Sequence, residues 1–145
     1  MVKKLMTVLL LTTALTLNLS AEPFAEGRLM DATLRLDYIF SGAYHDCDIA
    51  VAGIHKMDGW VGRRLNMKEL AVQGDGQLTM TDVATGDTLY RMSFCTLFQE
   101  WLGTEEAHRT RKSFENVFLV PMPAAPVNVN VRLLDSRNRV SAEFS

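Results

Sequence analysis

Polarity alternates over short distances along most of this chain. From Thr33 to Phe40, Leu34, Leu36, Tyr38 and Phe40 fall on one face of an extended segment, with Arg35 and Asp37 on the other, which is the pattern of a half-buried strand. Asp48 to Ile54 is a second candidate strand. Gly76 to Val83 and Asp87 to Phe94 are two more, joined as a hairpin across Ala84-Thr85-Gly86. Phe114 to Val120 reads as a hydrophobic strand that stops at Pro121-Met122-Pro123. Proline cannot donate to a ladder, so Pro121, Pro123 and Pro126 are expected to mark a connection rather than a central strand. Val127, Val129, Val131 and Leu133 then alternate with Asn128, Asn130 and Arg132, and Asp135-Ser136-Arg137-Asn138 turns the chain back into Val140 to Phe144.

The period changes once. Leu97, Phe98, Trp101 and Leu102 are spaced to share a helix face, and Thr96 with Gln99 forms a capping box before them. Gly103 interrupts this helix, and Thr104 is placed to cap a second turn. Glu105 and Glu106 would lie at the positive end of that turn, with Arg109, Arg111 and Lys112 toward its negative end. About six to seven short antiparallel strands with one short broken helix predict a mainly β protein, a β-sandwich. The apolar stripe of the helix is expected to pack onto a sheet. Gly59-Trp60-Val61-Gly62-Arg63-Arg64 reads as a loop carrying an aromatic anchor, with Trp60 directed to the core.

The first residues follow a different logic. Lys3 and Lys4 precede an apolar run from Leu5 to Leu19, and Leu19-Ser20-Ala21 offers a small residue to signal peptidase before Glu22-Pro23. Residues 1–21 are therefore read as a signal peptide, too short and threonine-rich to be a comfortable membrane span, and residues 22–145 as a single exported domain. The expected destination is the periplasm, the cell surface or the medium, with no membrane span after cleavage. The segment still reads as a strand where the chain stops at Ser145. That ending suits either a sandwich with a very short last strand or the front part of a longer protein.

Charge and candidate chemistry narrow the function by exclusion. The formal net charge of the 145 residues is −2, and loss of Lys3 and Lys4 makes the exported part more acidic. A weakly acidic domain without a basic stripe is not built to bind nucleic acid. The cluster His108, Arg109, Arg111 and Lys112 is read as a solvated helix end. Cys47 and Cys95 are the only cysteines. Export permits a disulfide between them, but their surroundings, a polar loop and the end of an apolar strand, suit two separate thiols equally well. His45-Asp46-Cys47-Asp48 carries metal-binding atom types, yet neighbours in an extended segment point to opposite faces. No catalytic residue, metal ligand or cofactor is assigned. Gly74-Asp75-Gly76 suits a strand-to-strand turn rather than a phosphate loop, and there is no Gly-x-Ser-x-Gly elbow.

Five strings carry a resemblance. They are Leu34-Arg35-Leu36-Asp37-Tyr38-Ile39-Phe40-Ser41-Gly42, Gly59-Trp60-Val61-Gly62-Arg63-Arg64, Gly86-Asp87-Thr88-Leu89-Tyr90-Arg91, Leu97-Phe98-Gln99-Glu100-Trp101-Leu102 and Ser113-Phe114-Glu115-Asn116. In this order they resemble the amino-terminal domain of the IgA-peptidase family of secreted zinc metallopeptidases, known mainly from gut bacteria. The resemblance implies a β-sandwich, with the peptidase in a separate downstream domain. The family's zinc helix needs His-Glu-x-x-His, with two imidazoles four residues apart. Here His45, His55 and His108 are followed at that position by Ile49, Gly59 and Lys112, so this chain is expected not to be an enzyme itself.

The expected function is that of an exported accessory domain that supports a peptidase catalytic domain or holds a protein substrate. Tyr44, Trp60 and Trp101 are the candidate partner or ligand contacts. The alternatives are a stand-alone glycan- or protein-binding module and an inactive fragment of a truncated peptidase.

Overall fold

The computed structural model describes residues 25, 27–70 and 73–145, so the proposed signal peptide lies outside the described residues. Among the described residues, seven strands form two antiparallel sheets. The first holds β2 (Asp46–Asp58), β1 (Leu29–Ala43) and β5 (Lys112–Pro123), in that order across the sheet. The second holds β4 (Thr88–Phe94), β3 (Gly76–Asp82), β6 (Val127–Leu134) and β7 (Val140–Phe144). Face-to-face packing of the two makes the expected β-sandwich.

The alternation that marked Thr33 to Phe40 becomes the inner face of β1. Leu36, Tyr38 and Phe40 are buried against Leu78 and Met80 of β3 and Val131 and Leu133 of β6. Burying a side chain the size of Phe40, which has no exposed surface, contributes roughly 1.5–3 kcal/mol. Aromatic rings join the two layers: Phe94 of β4 lies 4.5 Å from Phe118 of β5, and Tyr38 meets Phe144 edge-on at 5.9 Å.

β1 is longer than its alternation suggested because both of its ends are held by neighbours. It pairs with β2 from Ala32 opposite Asp58 to Ala43 opposite Asp46, across the turn Tyr44-His45. Gly42 is required just before that turn. Its φ is +147°, and a Cβ there would lie 1.8 Å from the carbonyl oxygen of Asp46. Farther along, Asp37 faces Gly53 while Tyr38 faces Val51, so Ala52 is the extra residue of a bulge.

Two prolines depart from expectation. Pro121 and Pro123 lie inside β5, opposite Thr33 and Leu29, and only Pro126 lies in the connection to β6. β5 is an edge strand, bonded to β1 on one side only. The nitrogens of two prolines two residues apart share one side of a strand, and the unpaired side of an edge accommodates them.

The broken helix is present as α1 (Leu97–Leu102) followed by a single 3-10 turn, Glu105–His108. Thr96 caps α1 by accepting the Gln99 amide at 3.2 Å. The reciprocal half of the expected capping box is absent. The Gln99 side chain instead donates to the Leu134 carbonyl at 2.8 Å and the Asp75 carbonyl at 3.3 Å, tying the helix to the second sheet. Thr104 makes no side-chain cap either; its hydroxyl donates back to the Trp101 carbonyl at 2.8 Å. Phe98, Trp101 and Leu102 are buried, whereas Leu97, at the start of the helix, is 71% exposed and leaves the stripe. Arg109, Arg111 and Lys112 do not extend the turn, which stops at His108, and Lys112 already opens β5.

Strand directions sort the connections to two ends of the sandwich. One, here the helical end, carries the Tyr44-His45 turn, the entry to β3, the helical segment and the turn from β6 to β7. The other, the loop end, carries the start of β1, the segment after β2, the turn from β3 to β4 and the β5–β6 connection. No helix among the described residues is long and apolar enough to cross a membrane.

Candidate functional site

At the helical end, three connections enclose a cleft of about 890 Å³. Tyr44, His45 and Cys47 line it from the first hairpin, Gln99, Glu100 and Leu102 from α1, and Asp135 to Arg137 with Arg139 from the β6–β7 turn. Each wall is fixed by its own local chemistry. The Tyr44 amide donates to the carbonyl of Ala107, a fully buried residue, at 3.1 Å, so the 3-10 turn sits on the hairpin. The Tyr44 ring lies 4.0 Å from His45 and 3.9 Å from His108, and remains 43% exposed. Asp135 accepts the amides of Arg137 at 2.8 Å and Arg139 at 2.9 Å, closing the opposite wall as a tight Asx-type turn. Those bonds, the Arg139 amide first and its guanidinium next, hold the Asp135 carboxyl down at about 2.

The floor is less satisfied. The Asp75 carbonyl accepts from Leu134 N at 2.7 Å, but its Oδ1 is buried with no donor among the described residues, and burial pushes its carboxyl pKa up. Glu100, Arg137 and Tyr44 give the mouth both signs of charge and an aromatic edge. This is a lining suited to holding a polar chain by mixed contacts.

Arg111 reorganises the His45-to-Asp48 string. Its guanidinium pairs with Asp46 and, at 3.2 Å, with Asp48, while Cys47 turns the other way and is half-buried, 3.9 Å from the Ala43 carbonyl. Cys95 is exposed just past β4, and both thiols are free. Burial, with Asp48 adding to it, pushes the Cys47 thiol pKa up. The third imidazole, His55, is 3.4 Å from Asp37, which also accepts from Arg35 at 2.7 Å on the outer face of the first sheet. Sequence alternation put Arg35 and Asp37 on one face, but His55 joins them only through the β1–β2 register, where it faces Arg35. No group of three or more His, Cys, Asp or Glu residues among those described is arranged to hold a metal ion.

The sequence-derived contact residues do not come together. Tyr44 is exposed at the helical end. Trp101 is buried near it, its ring tilted against those of Phe98 and Phe114, its indole N–H donating to Glu106 at 2.9 Å and Lys112 lying 5.6 Å over the ring. Trp60 is at the loop end, buried edge-on against Tyr90 at 6.0 Å, with its N–H given to the Arg63 carbonyl at 2.9 Å. Both indoles are thus used inside the fold. The cleft residues Gln99, Arg137 and Asp75 gave no signal in the sequence, because they meet only when the ends of three connections are folded together.

None of the curated proteins compared matches this chain at a significant level. A family model described as Peptidase M64 N-terminus matches residues 25–145, the whole of the described sandwich. The chain therefore belongs to the peptidase M64 amino-terminal domain family.

Proposed function

We propose that this chain is an exported, non-catalytic accessory domain that acts beside an M64 peptidase unit and holds protein substrate for it at the helical-end cleft. The observation that carries the reading is the family match, which spans the sandwich from end to end and is described as a peptidase M64 amino-terminus. The cleft supports it: its size and mixed lining suit a loop or tail of a folded protein better than a small apolar molecule. Export rests on the leader-like residues 1–21.

The test is to produce the protein by export and measure three things: its first residue, its zinc content, and its cleavage and binding of immunoglobulin and of a generic protein. A chain starting at Glu22 that binds one of these proteins, with binding weakened by Tyr44→Ala, is the expected result. Chelator-sensitive cleavage by the purified chain alone would overturn the non-catalytic part. The exposure of Tyr44 beside the cleft also favours a second reading, a stand-alone glycan- or protein-binding module. Binding to mucin glycans that persists without any peptidase unit, and no effect on a peptidase when one is supplied, would select it.

A further inference from the structure

One strand edge of the sandwich is open over half its length. β7 ends at Phe144, opposite Val131, so it pairs with β6 only from Val131 to Leu134, and the Ser145 hydroxyl beyond it accepts from the Asn130 side chain at 2.6 Å. The direction of the main-chain groups of β6 is fixed on its other side. Leu134 gives its amide to Asp75, and the Pro126 carbonyl accepts from Val83, both on the β3 side. Alternate residues of a strand share a side, so Val127, Val129, Val131 and Leu133 direct their N–H and C=O groups the opposite way. Phe144 and Ala142 lie beside Val131 and Leu133, whereas no strand among the described residues lies beside Val127 and Val129.

The facing sheet is open at the same place. β2, the edge strand in contact with β7, runs on toward the loop end as far as Asp58. Tyr38 of β1, which meets Phe144, has Val51 as its β2 neighbour, and the next inward pair toward the loop end is Leu36 with Ile54. Leu36 is buried, but Ile54 is 62% exposed and Val51 39% exposed, since β7 does not reach beneath them. Natural sheets blunt their edges against further strands, and the other edges here are blunted. Pro121 and Pro123 interrupt β5, the bulge at Ala52 bends β2, and in β4 the Arg91 amide donates to Met67 while its carbonyl accepts from Arg63. The open half of β6 has no such protection.

We propose that the open half of β6 is an acceptor site for an extended segment of the protein substrate, which adds as a strand antiparallel to β6 and in line with β7. This rests on the reading of the chain as a holder of protein substrate. Unpaired N–H and C=O groups at strand spacing are matched by polypeptide main chain, which neither a glycan nor a lipid supplies. Continuity with the β6–β7 register sets the side-chain geometry. The incoming residue opposite Val129 shares the inner face with Phe144, so its side chain enters the seam beside Leu36 and Ile54. An apolar residue is selected there, and the alternate positions face outward and tolerate other residues.

The experiment titrates the purified exported chain into a short fluorescein-labelled peptide in which valine alternates with threonine, and follows anisotropy. Saturable binding is expected, displaced by unfolded casein and unchanged by Tyr44→Ala at the helical end. Ile54→Asp, which puts a charge into the seam, and Val129→Pro, which removes a free donor without touching the β3 ladder, are each expected to weaken it at least about ten-fold. N-methylation of the valine amides, which face β6, is expected to abolish binding, and N-methylation of the threonine amides to spare it. Binding that ignores valine methylation, that casein does not displace, or that Ile54→Asp leaves within about two-fold of the parent would overturn the acceptor site. So would a chain that binds casein but not the peptide, which leaves the substrate-holding reading standing, and self-association in sedimentation that Ile54→Asp disperses, which makes a second copy the occupant. No binding of peptide, casein or immunoglobulin would overturn both readings. Thermal unfolding checks each variant, and Ile54→Asp, at an exposed position, stands alone if Val129→Pro does not fold.

Discussion

The six-membered ring of the Trp60 indole lies against the α-carbon of Gly62: a Cβ built on Gly62 would come within 2.1 Å of Cζ2 and 2.5 Å of Cη2. The indole is buried and hydrogen-bonded, so it cannot swing away without losing its bond to Arg63. Gly62→Ala is therefore expected to destabilise the protein by about 1–3 kcal/mol, the usual cost of overpacking a fixed site. Gly59→Ala is a useful comparison: nothing lies within 4 Å of its would-be Cβ, so its cost comes from the backbone at φ +72° rather than from a clash. Urea unfolding of both variants, with Trp fluorescence as the probe, separates local repacking around the indole from backbone strain.

Thr96 is a second sensitive point. Its buried hydroxyl is the only side-chain cap of α1, accepting the Gln99 amide. Thr96→Ala is expected to cost about 0.5–2 kcal/mol, and Thr96→Ser to recover most of it. Equal losses for the two variants would show that the methyl group, not the oxygen, is what matters.

The two thiols differ in access. Cys95 is exposed, whereas Cys47 is half-buried with its pKa pushed up by burial, and alkylation proceeds through the thiolate. Iodoacetamide at pH 8 is expected to label Cys95 well before Cys47, as read by peptide mass spectrometry. Equal rates would contradict the packing of Cys47 at the base of the first hairpin.

The β6–β7 turn is expected to weaken in acid. The Asp135 carboxyl sits at about 2 in the folded protein against an ordinary value of 3.8, so its contribution is complete above the ordinary value and is lost as the pH falls through the folded one. Asp135→Asn removes the anionic acceptor. The melting temperature of the variant is expected to lie below that of the parent at neutral pH, with the gap closing between pH 4 and pH 2, as the window set by those two values requires. A gap that stays constant over that range would mean that the charge of Asp135 does not stabilise the turn.

The glutamate that joins the helical segment to β5 offers a further contrast. Glu106 accepts from Lys112 at 2.6 Å and from the Trp101 indole at 2.9 Å, and those bonds, Lys112 first, hold its carboxyl below the ordinary range. Glu106→Gln keeps an oxygen for the indole but loses the ion pair, whereas Glu106→Ala strands the indole N–H. The alanine variant is expected to be the less stable of the two in thermal unfolding, because an unmatched donor on a buried ring costs more than an exposed ion pair contributes.

Much of the fold was legible in the residues because a strand buried on one face needs every second position apolar, and Leu36, Tyr38 and Phe40 or Val129, Val131 and Leu133 satisfy that rule locally. The same local rule misplaced Pro121 and Pro123. A proline interrupts a strand only where both sides are paired, and the sequence does not state that β5 is an edge. Gln99 shows a similar limit. Its spacing from Thr96 suits a capping box, but the carbonyls of Leu134 and Asp75 compete for its amide, and nothing near it in sequence announces them.

By itself, then, the sequence determined the class of the fold, the sites of its turns and the family, since each of these is written in short-range pattern or in ordered strings of residues. Tertiary structure alone decided which groups the two indoles bond, that Tyr44 lines the cleft, and which connections meet around it. The physical reason is that exposure and convergence depend on strand order and register. These bring together residues such as Asp75, Gln99 and Arg137 from distant connections, and no periodicity within one segment encodes which other segment it will meet.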